Sequence, residues 1–340
     1  MSRVMLRDTG IVVIGRNEGE RLRRSLSSAR GRVRRVVYAD SASSDHSPEL
    51  ARAMGAEVVE LNMSIPANAA RGRNAGFEFL MECEPDLTYC LFIDGDCELV
   101  DGFLETARGE LERDRGCGIV CGRRRETRGE VSIYNRLVDS EWNTPLGLAE
   151  ACGGDALVRV AAFRAAGGYN ESMSCGEDPE FSYRVRRSGW TIRRLAVEMT
   201  RHDVALLHFG PWWKRHGRGG YAYAHGCALH WREPERYNLR TCLSIALYAI
   251  LLPLATAVSS LFLGLHALWI ALLYLRLGWN VAAGRRERGD SPRSSAVYAL
   301  FVVVGKYSEC WGAMRCLFDL ALKRRSLVCE YKDDQHKAAA

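Results

Sequence analysis

The sequence predicts a doubly wound, mostly parallel α/β sheet followed by a C-terminal apolar helical membrane region. Two observations carry this. Short apolar runs alternate with helical patterns from Ile11 to Cys121, as in successive strand–helix units. Farther on, Thr241–Leu275 contains no Asp, Glu, Lys or Arg. At about 1.5 Å rise per residue, one helix of that length outreaches a hydrocarbon core of roughly 30 Å.

The elements follow in order. Ile11–Ile14 is an apolar run that stops at Gly15 and reads as a buried strand. Asn17 is placed to cap the next helix, with Glu20 as its capping-box partner. Leu22, Leu26 and Ala29 form that helix's apolar stripe. Strands are expected at Val33–Ala39, Glu57–Leu61, Tyr89–Ile93 and Gly118–Cys121. Helices are expected at His46–Met54, Ala67–Glu82 and Gly102–Arg113. Beyond residue 150 the pattern loosens. A short helix spans Val160–Ala166 and closes on Gly167 and Gly168. A further helix covers Pro179–Ser188, a strand Trp190–Leu195 and an aromatic amphipathic helix Trp212–Trp231. In the apolar run, Pro253 and Ser259–Ser260 divide the options between a hairpin of two short spans and one long tilted span. Ser295–Val304 is too short to span alone. With the charged Ser308–Leu322 it reads as interfacial.

The domain plan is a catalytic domain over 1–235, a helical membrane-associated region over 236–330 and a disordered tail over 331–340. The chain has 340 residues, enough for one large or two modest domains, and a net charge of +6. Its arginines cluster, as in Arg123-Arg124-Arg125. Such clusters form either a solvated surface or an attraction to phosphates and anionic membranes. The 12 cysteines contain no C-x-x-C pair. That speaks against a zinc site or a redox motif and for small buried hydrophobes. No secretory leader is read before the first strand. The basic runs Arg285–Arg288 and Lys323–Arg325 favour the cytoplasmic side of a membrane.

In doubly wound sheets ligands sit beyond the carboxyl ends of the strands. Gly15, Asp40 and the Asp94–Asp96 pair occupy such ends. Asp94-Gly95-Asp96 directly follows an apolar strand, so both carboxylates can reach one point. Oxygen ligands in that arrangement suit Mg²⁺ or Mn²⁺; a plain turn is the competing reading. Asp40-Ser41-Ala42-Ser43-Ser44-Asp45 offers short polar groups to a base or ribose, or a helix cap. Arg71-Gly72-Arg73-Asn74-Ala75-Gly76 sets two arginines beside small residues, where a diphosphate could approach. Glu177 and Asp178 open a helix, where acids suit the dipole. There one can also take a proton from an attacking hydroxyl. His202 or His208 could complete a metal shell. Trp212, Trp213 and Arg215 are candidates for acceptor or phosphate contact, or for membrane docking.

Together these pieces resemble glycosyltransferase family 2, the inverting enzymes with the GT-A fold. The matching elements run in the family's order: Ile11–Glu18, Asp40–Asp45, Arg71–Gly76, Asp94–Asp96, Gly153-Gly154-Asp155 with Phe163–Tyr169, and Gly176–Asp178. The resemblance covers residues 10–235. It implies a nucleotide-sugar donor, UDP-linked, bound through Asn17, Glu18, Asp40, Asp45, Arg71, Arg73, Asn74, Asp94 and Gly154. It implies Mg²⁺ or Mn²⁺ held by Asp94, Asp96 and His202, with His208 as the alternative, and Asp178 or Glu177 as catalytic base. Two departures stand out. Gly15-Arg16-Asn17-Glu18 replaces a proline–aromatic opening, and the Gln-x-x-Arg-Trp motif of processive synthases is missing. Transfer of one sugar is therefore expected, onto a lipid-linked or glycan acceptor in exopolysaccharide or cell-envelope assembly. The partners implied are the donor, the acceptor and a membrane, with no nucleic acid.

Other classes fare worse. A nucleotidyltransferase would carry a glycine-rich basic loop after the first strand, where Gly15–Gly19 is short and acidic. A non-catalytic membrane-anchored nucleotide-sugar-binding module would not need Glu177 and Asp178. A dinucleotide oxidoreductase would show G-x-G-x-x-G after Ile14, and none is there.

Overall fold

The computed structural model describes residues 5–264, 269–270 and 272–324. These fall into two compact units. The first covers residues up to Glu130 together with Glu141–Ala205; the second covers Val131–Ser140 and residues from Leu206 on.

The first unit is built on β1 (Leu6–Gly15), α1 (Glu20–Ala29), β2 (Val33–Asp40), α2 (Ser47–Ala53), β3 (Glu57–Glu60), α3 (Ala69–Cys83), β4 (Tyr89–Asp94), β5 (Cys97–Leu99), α4 (Phe103–Arg113) and β6 (Cys117–Glu126). Then come α5 (Ile133–Trp142), which belongs to the second unit up to Ser140, and β7 (Gly147–Leu148), β8 (Ala156–Arg159), α6 (Val160–Ala166), α7 (Glu177–Arg187) and β9 (Thr191–His202). The sheet order is β3-β2-β1-β4-β8-β6-β9-β5, with β7 on β9. The chain moves outward from β1 through β2 and β3, then returns to β4 on the other side. This leaves a switch point between β1 and β4, where Gly15 and Asp94 end their strands.

The block β3-β2-β1-β4 is parallel, as the alternating pattern predicts. Beyond it the sheet is mixed. Four-residue β8 runs antiparallel to both β4 and β6, β5 and β7 run antiparallel to β9, and only β6–β9 is parallel. An apolar tetrapeptide such as Ala156–Arg159 records burial but not direction. The core strands are closed on both faces: Ile11–Val13 and Leu91–Ile93 are all fully buried. A stack of Phe77, Phe92, Phe163, Tyr169 and Phe181 then locks α3, β4, α6 and α7 together, with Phe77 and Phe163 centroids 3.9 Å apart.

Two local expectations change. Asn17 does not cap α1; Gly19 holds that position without a side-chain cap. The Asn17 amide oxygen instead accepts from the backbone N–H groups of Ser44, at 2.7 Å, and Asp45. The expected Gly118–Cys121 strand runs on through the three arginines to Glu126, because Arg124 finds buried acidic partners.

The second unit contains α8 (Phe209–His230), α9 (Leu239–Leu263), α10 (Leu272–Glu287) and α11 (Pro292–Ala321). α9 does not break at Pro253. A π turn at Leu247–Leu251 precedes the proline, and the helix continues through Ser259 and Ser260 to Leu263, with Gly264 as its C-cap. The segments Ser295–Val304 and Ser308–Leu322 belong to one 30-residue helix. α8 and α11 pack so closely that a Cβ on Gly312 would lie 1.8 Å from the Gly217 carbonyl oxygen. Only glycine permits that approach. The tail from 331, expected to be disordered, lies outside the described residues.

Candidate active site

β4 delivers Asp94 to the switch point, and α3 delivers Arg73. Asn68 caps α3 by accepting from the Arg71 backbone N–H at 2.9 Å. That fixes the first turn from which Arg73 projects. Arg73 is 2% exposed, yet it gathers three carboxylates. Its Nη2 donates to Asp94 Oδ1 at 2.8 Å and its Nη1 to Glu177 Oε1 at 2.8 Å. Asp178 Oδ1 lies 3.0 Å from the same Nη1, an ion pair without hydrogen-bond alignment. The guanidinium also sits over the Tyr169 ring, 5.2 Å from its centroid. Gly154 makes this possible: a Cβ there would stand 2.2 Å from Arg73 Nη2 and 3.0 Å from Asp94 Oδ1.

A second arginine braces Asp94 from β6. Arg124 Nη2 meets Asp94 Oδ2 at 3.1 Å, and its Nε donates to Asp155 Oδ2 at 2.9 Å. Asp155 is fully buried and also accepts from the Asp94 backbone N–H at 3.0 Å and the Thr200 hydroxyl at 2.5 Å. Burial works against the Asp94 charge, but Arg73 and Arg124 outweigh it and hold this carboxyl below its usual range. Asp178 responds oppositely. Burial, with Glu177 and Asp94 adding to it, overcomes Arg73 and pushes its pKa up to about 8. Neither Arg124 nor Asp155 is named among the sequence-derived site residues. The signal for Arg124 is strand alternation, which turns it to the face opposite Arg123 and Arg125.

Asp96 points into the other half of the site. Its Oδ2 lies 3.0 Å from His202 Nε2, and both residues are buried. His202 stands edge-on to Trp142 at 5.2 Å, and Arg124 lies over the same indole. Cys97, absent from the sequence-derived list, comes between the halves. It reaches a ligand-forming distance of Asp96 and His202 on one side and of Asp94 and Asp155 on the other. Burial first, then nearby carboxylates, pushes its thiol well above the usual range.

The charge balance tests whether a cation fits here. Asp94, Asp96, Asp155 and Glu177 are four carboxylates against the guanidiniums of Arg73 and Arg124, an excess of two negative charges if all four ionise, to which Asp178 adds a third only above its pKa of about 8. A divalent cation offsets most of that excess. The donors available, carboxylate oxygen and imidazole nitrogen, suit one.

The remaining sequence-derived residues serve the walls. Asp40 is buried; Tyr38 and Ser43 hydroxyls donate to its Oδ1 and the Ser43 N–H to its Oδ2. Asp45 Oδ1 accepts from the Ser47 N–H. Glu18 is buried and pairs with Arg21 at 3.2 Å. Arg71 donates to the carbonyls of Asn62, Ile65 and Pro66 and so ties down that loop. Asn74 clasps the Tyr169 backbone through both its N–H and carbonyl. In the second unit, Trp212 is 1% exposed among Tyr134, His216 and Phe301, so its indole is committed to packing. Trp213 and Arg215 on α8 are partly exposed, and His208 is the exposed residue before that helix.

The arginine-braced acidic cluster thus lies at the switch point, where doubly wound sheets hold their ligands. Residues 10–167 match the family described as Glycosyl transferase family 2. It is similar to Succinoglycan biosynthesis protein ExoA of Rhizobium meliloti (strain 1021), 31% identical over 184 residues, covering 51% of this chain and 54% of that protein. It is also similar to Pre-mycofactocin glycosyltransferase of Mycobacterium tuberculosis (strain ATCC 25618 / H37Rv), 26% identical over 208 residues, covering 58% and 43%. The chain thus spans about half the length of these curated relatives. Among solved structures, mannosyltransferase PcManGT from Pyrobaculum calidifontis, in complex with GDP-Man and Mn²⁺, aligns with TM-score 0.60 and 16% identity over 92% of this chain and 87% of that one. S. aureus TarS 1-349 aligns with TM-score 0.50 and 14% identity over 90% and 91%. These likenesses establish the GT-A fold.

Proposed function

We propose that this protein transfers one sugar from a nucleotide-sugar donor, UDP-linked, to an acceptor hydroxyl, with inversion at the anomeric carbon. The observation that carries the reading is Arg73, which joins the D-x-D strand end to the Glu177–Asp178 pair inside one buried cluster. Asp178 takes the acceptor's proton while the acceptor oxygen bonds to the anomeric carbon and the bond to the diphosphate breaks. Its pKa of about 8 makes it a stronger base than an ordinary carboxylate once deprotonated. Arg73 and Arg124 hold Asp94 in its ionised form. Asp94, Asp96 and His202 would hold Mg²⁺ or Mn²⁺. When bound, the ion offsets charge on the departing nucleoside diphosphate. The GDP-Man and Mn²⁺ carried by mannosyltransferase PcManGT support a donor and a divalent cation on this fold. Asn17, Glu18, Asp40, Asp45, Arg71 and Asn74 shape the donor cleft.

The catalytic domain read over 1–235 precedes a membrane-associated region. α9 is long and apolar enough to cross a membrane and is largely unburied, with Leu261 and Phe262 each 81% exposed. That exposure favours lipid contact over a core helix. With ExoA as a relative, exopolysaccharide or cell-envelope glycan assembly at the cytoplasmic face is the setting this supports. The test is release of nucleoside diphosphate from a panel of nucleotide sugars by the full chain in membranes, with Mn²⁺ or with a chelator, and a lipid extract as acceptor. Release that needs both metal and acceptor is expected. No release with any donor would leave a binding module without catalysis.

A further inference from the structure

We propose that Asp96, Cys97 and His202 form a binding site for a borderline-soft divalent cation of the zinc class, and that Zn²⁺ seated there blocks sugar transfer. The site is a product of strand pairing. Cys97 on β5 and His202 on β9 are direct register partners in an antiparallel ladder. Their side chains therefore leave the same face of the sheet as close neighbours. Asp96 precedes Cys97 in the turn from β4 and reaches both: its Oδ2 is 3.0 Å from His202 Nε2 and its Oδ1 is 3.8 Å from the Cys97 sulfur.

One ligand atom from each of the three residues lies within 4.8 Å of the others, and all three residues are buried. Tetrahedral zinc, with bonds of about 2.0–2.3 Å, sets its ligand atoms about 3.4–3.6 Å apart. Asp96 Oδ2 and His202 Nε2 stand 3.0 Å apart and the Cys97 sulfur is 3.8 Å from the other Asp96 oxygen, so a small turn of that carboxylate would bring one oxygen to both partners. The His202 ring is steadied by Trp142, and its Nδ1 has no hydrogen-bond partner among the described residues.

Ligand chemistry sets the selectivity. Mg²⁺ and Mn²⁺ prefer oxygen and complete their shells with substrate phosphates. A thiolate, imidazole and carboxylate together favour Zn²⁺, which also stands above Mn²⁺ in general affinity. As the sulfur–zinc bond forms, the thiol proton passes to solvent; no electrons are transferred. Zinc then engages three protein ligands without a donor present and occupies Asp96 and His202, which the proposed transfer needs. The absence of C-x-x-C spacing could not reveal such a site, because its single sulfur meets the histidine only across the sheet. The binding claim stands on these residues alone; only the block of transfer rests on the proposed function.

The experiment uses the purified full chain without nucleotide sugar. Co²⁺ is added as an optical probe, then Zn²⁺ as competitor, and the zinc-loaded protein is measured by X-ray absorption. The expected result is a sulfur-to-cobalt charge-transfer band that Zn²⁺ abolishes. The zinc shell should contain one sulfur at about 2.3 Å beside imidazole and oxygen. Cys97→Ser should lose the band and weaken Zn²⁺ binding on the order of tenfold or more, since even outer-shell changes cost that much. If that variant does not fold, His202→Gln serves instead, keeping the sulfur and losing the imidazole scattering. A zinc shell with no sulfur or with two, or a band that survives in Cys97→Ser, overturns the site. If the spectra are as expected while wild type releases no nucleoside diphosphate with Mn²⁺, the proposed function fails and the zinc site stands. If wild type does turn over, Zn²⁺ should inhibit it more than it inhibits Cys97→Ser; equal inhibition overturns the block.

Discussion

The two compact units solve interior packing by opposite means. In the first, buried polar groups are answered by charge: Asp155 collects Arg124, Thr200 and the Asp94 N–H, and Arg73 collects three carboxylates. In the second, helices meet through missing side chains, with Gly217 and Gly312 letting α8 and α11 touch backbone to backbone. The first arrangement stores unbalanced negative charge and so is built to bind something. The second leaves apolar side chains such as Leu261 and Phe262 facing outward. Under the proposed function, chemistry and surface attachment fall to different units, and substitutions should separate them.

The largest effect expected is Asp178→Asn. It keeps the shape and removes the base, so transfer should fall by about 10²–10⁴-fold. Donor binding, read by calorimetry with a non-transferable nucleotide sugar, should stay nearly intact. If binding disappears as well, Asp178 holds the donor and is not the base. Next is Arg124→Met, which strips a guanidinium from a buried network and leaves Asp94 and Asp155 short of a partner. Breaking such pairs costs about 3–5 kcal/mol. Denaturant unfolding should show that loss, whereas Arg125→Met, on a side chain 47% exposed, should change stability by less than about 0.5 kcal/mol. Equal losses at both positions would mean that the β6 brace does nothing special.

Those neighbouring arginines also show how far the sequence could be read. The apolar runs locate β1 and β4 within a few residues because burial on both faces leaves no other composition. The Asp94–Asp96 turn is legible for the same reason: it interrupts a buried strand. Arg124 is not, since its role depends on Asp155 and Asp94, which reach it through strands far apart in sequence. Asp155 hides beside Gly153 and Gly154, where a turn explains the composition equally well. Asn17 has the right spacing for a helix cap but is drawn to the Ser44 and Asp45 N–H groups across the site. Pro253 is a helix breaker by rule, yet the π turn before it absorbs the irregularity.

A smaller effect is expected from Gly312→Ala in the second unit. The added methyl would meet the Gly217 carbonyl oxygen at 1.8 Å, and a backbone atom cannot move aside alone. Overpacking of this kind costs about 1–3 kcal/mol. Melting temperature should drop while nucleotide-sugar binding by the surviving folded protein stays unchanged. A parallel loss of donor affinity would show that the two units are not separable.

The last effect is on pH dependence, and it returns to the charged unit. The base form of Asp178 is populated only above its pKa of about 8. Since kcat/KM reports the free enzyme, it should rise roughly tenfold per pH unit up to about pH 8 and then level off. Stability runs the other way. The folded pKa lies above the unfolded one, so the proton-linked stability of Asp178 is fully present below the ordinary carboxylate range and is lost as pH rises through about 8. Asp178→Asn carries no such proton, so its unfolding free energy should fall less than wild type's between about pH 5 and pH 8. A rate profile already flat above about pH 5 would place the titrating group on an ordinary, solvated carboxylate. Burial of Asp178 against Arg73 would then be a packing device with no part in proton transfer.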